Sequence, residues 1–164
     1  FSLMLIVGTT NAVNITDGID GLSSSVTIVA SLFFIIYSYI NNLSNVLLFS
    51  IFLLAACFAF VIYNWHPAKL FMGDTGSLFI GGALAVAALM TKTELILPIV
   101  GGVYVLETLS VIAQVFSFKI FKKRIFKMSP IHHHFELSGW KEKKIVSVFS
   151  LVGFIFLVLS LMLI

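Results

Sequence analysis

The chain has 164 residues, of which 60% are hydrophobic and only 10% charged, and its mean hydropathy is +1.12. A water-soluble domain of this length cannot hide so much apolar surface, which points to a polytopic membrane protein covered mostly by lipid. Net charge is +3, and the single cysteine, Cys57, excludes an intramolecular disulfide and a thiolate metal cluster. Within LLAACFAF it reads as a small buried hydrophobe.

The opening FSLMLIV reads as the last turns of a helix already under way. It has neither the charged n-region nor the cleavage pattern of a signal peptide, so the chain is expected to be the C-terminal part of something longer. A polar loop follows over 8–23, carrying NAVNITDGIDGL. Its Asn11, Asn14, Asp17 and Asp20 admit two readings. They are ordinary turn and capping residues, or a cluster that orients ribose hydroxyls, a nucleobase edge or a hydrated cation. Two carboxylates three residues apart can share one face of a turn, no basic residue neutralises them, and Gly18 and Gly21 admit a ligand close to the backbone.

Apolar segments are predicted at about 24–40, 45–63, 77–90, 95–118 and 145–164. About twenty helical residues cross a bilayer core, and four of the five meet or approach that length. The third is shorter, and its Gly81, Gly82 and alanines suit tight packing against neighbours. The chain is thus predicted to be one all-α helical bundle over 1–164, with five complete transmembrane helices and the end of a sixth.

Counting crossings puts the loops 8–23, 64–76 and 119–144 on one side. Of the ten Lys and Arg, only Lys92 falls on the other, which makes the motif side cytoplasmic. In the second loop, YNWHPAKLFMGDTGS, Asp74 stands at the start of a membrane helix. It reads as a helix cap or as a ligand for a hard cation such as magnesium, with the N–H groups of Gly76 and Ser77 free for a pyrophosphate oxygen. Phe71 is either an interfacial aromatic or a platform for a planar base. Asn64, Trp65, His66 and Lys69 enrich the same loop.

Glu107, Ser110 and Gln114 share one face of the fourth segment. A hydrogen bond from Glu107 to another helix is the preferred reading of that intramembrane carboxylate. The third loop opens with KIFKKRIFK, which as a helix would set Ile120, Phe121, Ile125 and Met128 on one face in the headgroup region. A topology-setting positive patch is the plainer reading. In PIHHHFE, three successive histidines cannot face one way, so a three-histidine zinc site is not expected. One or two contacting a phosphate or sugar is the expectation.

NAVNITDGIDGL, FMGDTGS and PIHHHFELSGW, in this order between hydrophobic helices, closely resemble the phospho-N-acetylmuramoyl-pentapeptide transferases. These form a branch of the polyprenyl-phosphate N-acetylhexosamine-1-phosphate transferase superfamily, and the likeness runs through essentially the whole chain. The resemblance implies a bacterial inner-membrane enzyme that moves the phospho-sugar of UDP-N-acetylmuramoyl-pentapeptide to undecaprenyl phosphate, releasing UMP with Mg2+ as cofactor. It implies Asp74 as the metal ligand and catalytic residue, joined in catalysis by Asp17, Asp20, His132 and His133. Asn11, Asn14, Asn64, Phe71, Gly73 and His134 would bind substrate, with Phe71 stacked on uracil. Partners would be the two substrates and the lipid bilayer, with a homodimer left open and no nucleic acid. Members have about ten membrane helices, so this chain would supply the second half. The adjacent aspartate pair of an earlier loop is not in this sequence, so the chain alone is expected to lack a complete active site. Rival readings are transfer from UDP-N-acetylglucosamine, a transporter and a non-catalytic scaffold.

Overall fold

A computed structural model describes residues 1–164, and all of its regular structure is helical. In chain order the helices are α1 (Ser2–Thr16), α2 (Leu22–Ile40), α3 (Ser44–Asn64), α4 (Gly73–Thr91), α5 (Leu97–Val100), α6 (Gly102–Phe121), α7 (Ile131–Glu136) and α8 (Glu142–Leu161). Five of them, α2, α3, α4, α6 and α8, are long and apolar enough to cross a membrane, and α1 is shorter. The expected bundle of five spans plus a stub is what the chain forms.

Central α2 packs on α3 and α8, while α1 lies against α4 and α6. The core runs through Leu22, Phe33, Phe34, Leu84, Val103 and Ile145. Phe52, Phe58, Phe79, Phe116 and Phe154 face outward, where a bilayer rather than water covers them. The small residues of α4 do what their size allows. A Cβ on Gly81 would run into the backbone of Thr10, so α1 and α4 touch main chain to main chain.

Several boundaries differ from those predicted. The loop expected over 8–23 shrinks to a turn after Thr16, because α1 continues through NAVNIT. Polar side chains there bond back onto their own helix instead of breaking it: Thr10 to the Ile6 carbonyl, Asn11 to Val7 and Thr16 to Ala12. The third span is not short, since α4 begins at Gly73 and the GDTGS part of the motif forms its first turn. The fourth is broken at Gly101 into the single turn α5, with Pro98 at its start, and the long α6. The predicted basic interfacial helix is absent: α6 ends at Phe121, Lys122 adopts a left-handed φ of 55°, and residues 122–130 are irregular.

Candidate active site

The α1–α2 turn, the α3–α4 loop and the α6–α8 connection meet at one end of the bundle. Asn64, the last residue of α3, is buried and ties the first two together. Its Oδ1 accepts the Gly21 N–H at 2.8 Å, and its Nδ2 donates to the Leu70 carbonyl at 2.8 Å. Asp20 adds a second tie, with Oδ2 accepting the Ala68 N–H at 2.9 Å and lying 3.0 Å from His66 Nδ1. The same His66 nitrogen is 3.1 Å from Glu142 Oε2 at the start of α8. Asp20, His66 and Glu142 thus form a mixed nitrogen–oxygen group able to hold a metal ion.

Between these ties opens a cleft of about 340 Å3, whose walls include Asn14, Asp17, Asp20, Asn64, Phe71 and Asp74. Asn14, in the last turn of α1, reaches α4: its Nδ2 donates to Asp74 Oδ1 at 3.0 Å and to Ser77 Oγ at 2.9 Å. Asp74 sits in the first turn of α4, where the helix dipole favours its negative charge. Asp17, half-buried in the turn beyond α1, has its carboxyl pushed up to about 6, first by burial and then by repulsion from Asp74. The lining holds three carboxylates and no lysine or arginine. Gly73 has φ +65° and nothing near the position of a Cβ, so its backbone is open to a ligand. Phe71 stands 74% exposed on the rim, a face free for stacking.

The three histidines have different partners and do not converge on one point. His132 is fully buried, with Nδ1 3.0 Å from Glu107 Oε2 on α6, so the intramembrane carboxylate does bond to another helix, α7. Its Nε2 has no partner and lies directly against Gly18, where a Cβ would not fit. His132 therefore reaches the cleft through the main chain of the aspartate turn, not by an exposed atom. The His133 ring lies beside it, tilted by 56° at a centroid distance of 4.2 Å, and pairs with Glu136 at 2.8 Å. His134 accepts the Lys127 N–H at 3.1 Å through Nδ1.

Of the residues singled out from sequence, Asn14, Asp17, Asp20, Asn64, Phe71, Gly73 and Asp74 share the cleft. Asn11 does not line it: its Nδ2 donates to the Val7 carbonyl at 2.7 Å on the exposed side of α1. His133 and His134 stand with α7 outside the lining. Glu142 drew no attention in the sequence. Its only signal was the expected convergence of the second and third loops, because 76 residues separate it from His66.

These features define a membrane-embedded bundle with an acidic cleft, unlined by lysine or arginine, at one end of its spans. A family model described as "Glycosyl transferase family 4" matches residues 1–92, more than half the chain, and the chain belongs to that family. A protein of Caldanaerobacter subterraneus subsp. tengcongensis named phospho-N-acetylmuramoyl-pentapeptide-transferase is 57% identical over 161 residues, covering 98% of this chain and 51% of its own length. Proteins of the same name from Desulforamulus reducens and Carboxydothermus hydrogenoformans are 49% and 53% identical, over 98% and 97% of this chain and 48% and 49% of their own length. The chain thus spans about half the length of the curated relatives it matches.

Proposed function

We propose that this chain carries the nucleotide- and cation-binding half of a phospho-N-acetylmuramoyl-pentapeptide transferase in the bacterial inner membrane. The observation that carries the reading is the cleft itself: three carboxylates, one pushed up by burial and by its neighbour, with no basic side chain among them. Carboxylates gathered without a basic partner favour binding of a cation. The names borne by relatives about half identical to the chain support the same conclusion. The bias of lysine and arginine toward the motif end supports a cytoplasmic cleft.

The carboxylates fit Mg2+, a hard cation that takes one or two protein carboxylates together with substrate phosphates. Asp74 and Asp17 would hold it, and it would supply charge neutralisation for the donor's pyrophosphate and the departing UMP. The remaining work falls to the chain's own groups. Phe71 offers its face to uracil, and the open backbone at Gly73 accommodates a phosphate oxygen. Asn14 holds Asp74 in place. In the reaction, a phosphate oxygen of undecaprenyl phosphate bonds to the sugar-bearing phosphorus of the donor. The bond from that phosphorus to UMP breaks, and UMP leaves with the electron pair. Alignment of the two phosphates is the main task of such a cleft.

A transporter would gather polar groups near the middle of its spans. Here they gather at one end, which favours an enzyme that joins a soluble donor to a lipid acceptor. The test is UMP release by the enzyme with polyprenyl phosphate and either UDP-N-acetylmuramoyl-pentapeptide or UDP-N-acetylglucosamine. Release with the first and not the second is expected. Release with the second alone would transfer the reading to the N-acetylglucosamine branch, and release with neither would end it.

A further inference from the structure

The basic stretch after α6 is held in a defined shape. Gln114 on α6 accepts the N–H groups of Ile125 and Phe126 through Oε1, at 3.0 and 2.9 Å, and donates to the Phe126 carbonyl through Nε2 at 2.9 Å. Ser117 donates to the Lys123 carbonyl at 2.9 Å, and Lys127 Nζ to the Leu137 carbonyl at 3.1 Å. These bonds set Lys119, Arg124 and Lys127 around a cavity of about 520 Å3, walled also by Gln114, Val115 and Phe118. No carboxylate pairs with any of the three cations, for every ion pair in the molecule is made by a histidine. Three like charges around one cavity repel one another until an anion joins them.

The cavity lies where α6 leaves its apolar span, and Val115 and Phe118 are about half exposed beside it. One part therefore suits a phosphate and the adjoining wall suits acyl chains. We propose that this pocket binds the headgroup of an anionic glycerophospholipid from the surrounding bilayer. A free phosphate would meet the cations and leave the apolar wall uncovered. The phosphate of a lipid substrate has to reach the carboxylate cleft, which shares no lining residue with this pocket. The inference is thus independent of the proposed reaction.

Native mass spectrometry of the detergent-purified protein, titrated with dioctanoyl phosphatidylglycerol, reads the binding. Lys119→Gln with Arg124→Gln changes two exposed side chains and should retain roughly tenfold less of this lipid than wild type. Lys127 is left in place because its Nζ closes the loop. A control that removes two charges at the start of α8, Lys141→Gln with Lys143→Gln, should bind as wild type does. Phosphatidylcholine should bind weakly to all three. Unchanged retention by the first variant, an equal loss in the control, or equal binding of phosphatidylcholine would each overturn the proposal. Displacement by inorganic phosphate would make the ligand a free anion instead. Preferential retention of polyprenyl phosphate, lost in the first variant, would hand the pocket to the carrier lipid.

Discussion

The cleft and the Glu107–His132 pair treat carboxylate charge in opposite ways. At the cleft, Asp17 and Asp74 face each other with no counter-charge, and Asp74 is exposed to solvent. Beneath it, Glu107 is fully buried and bonded to His132, itself fully buried against Gly18. A buried polar group needs a partner within the fold, whereas an uncompensated acidic cluster at an opening can take one from outside. On the proposed function, the difference separates groups that would meet the reactants from groups that would keep the first set in position.

The largest effect separating the two regions is expected from Asp74→Asn. Transfer should fall on the order of a thousandfold or more, while circular dichroism and melting stay close to wild type. Near-normal UMP release by the purified variant would remove Asp74 from the chemistry. Glu107→Ala should do the reverse. It strands His132 without its partner and should cost about 3 kcal/mol of stability, lowering activity through displacement of the Asp17–Asp20 turn. Glu107→Gln, which can still bond to the ring, should recover most of the lost stability. If alanine and glutamine melt alike and like wild type, the pair does not support the turn.

Gly18→Ala addresses the contact between the regions, because its Cβ would collide with the His132 ring. Activity should drop at least tenfold, and His132→Ala in the same chain should restore part of it by making room. A smaller effect is expected from Asp17. Its folded pKa of about 6 lies above the ordinary aspartate value of 3.8, so the fold prefers the neutral acid. That contribution is fully present below about pH 4 and is lost as pH rises through 6. With divalent cations chelated, Asp17→Asn should therefore melt a few degrees higher than wild type at pH 7.5 and no higher at pH 4. The same variant should lose transfer. Equal melting at both pH values would mean that neither burial nor repulsion from Asp74 disfavours the Asp17 charge.

The architecture was legible from sequence because hydrophobic length is a one-dimensional signal, and the five apolar runs became the five spans. The acidic cleft was legible for a similar reason: Asn14, Asp17, Phe71 and Asp74 lie in short motifs beside span ends, where loops converge. Boundaries were less so. Asn11 looked like loop, yet side chains bonding back to carbonyls let α1 run to Thr16. The role of His132 was hidden because its partner Glu107 is 25 residues away on another helix. The irregular form of 122–130 depends on Gln114, whose amide replaces the backbone bonds a continued helix would have made.

Electron paramagnetic resonance of Mn2+, a paramagnetic stand-in for Mg2+, tests most directly where a cation settles. At pH 8 the wild-type protein should bind one ion, Asp74→Asn should lose it, and His66→Gln and Glu107→Gln should keep it. Retention by Asp74→Asn together with loss in His66→Gln would place the ion at the Asp20–His66–Glu142 group and contradict the account given for the cleft.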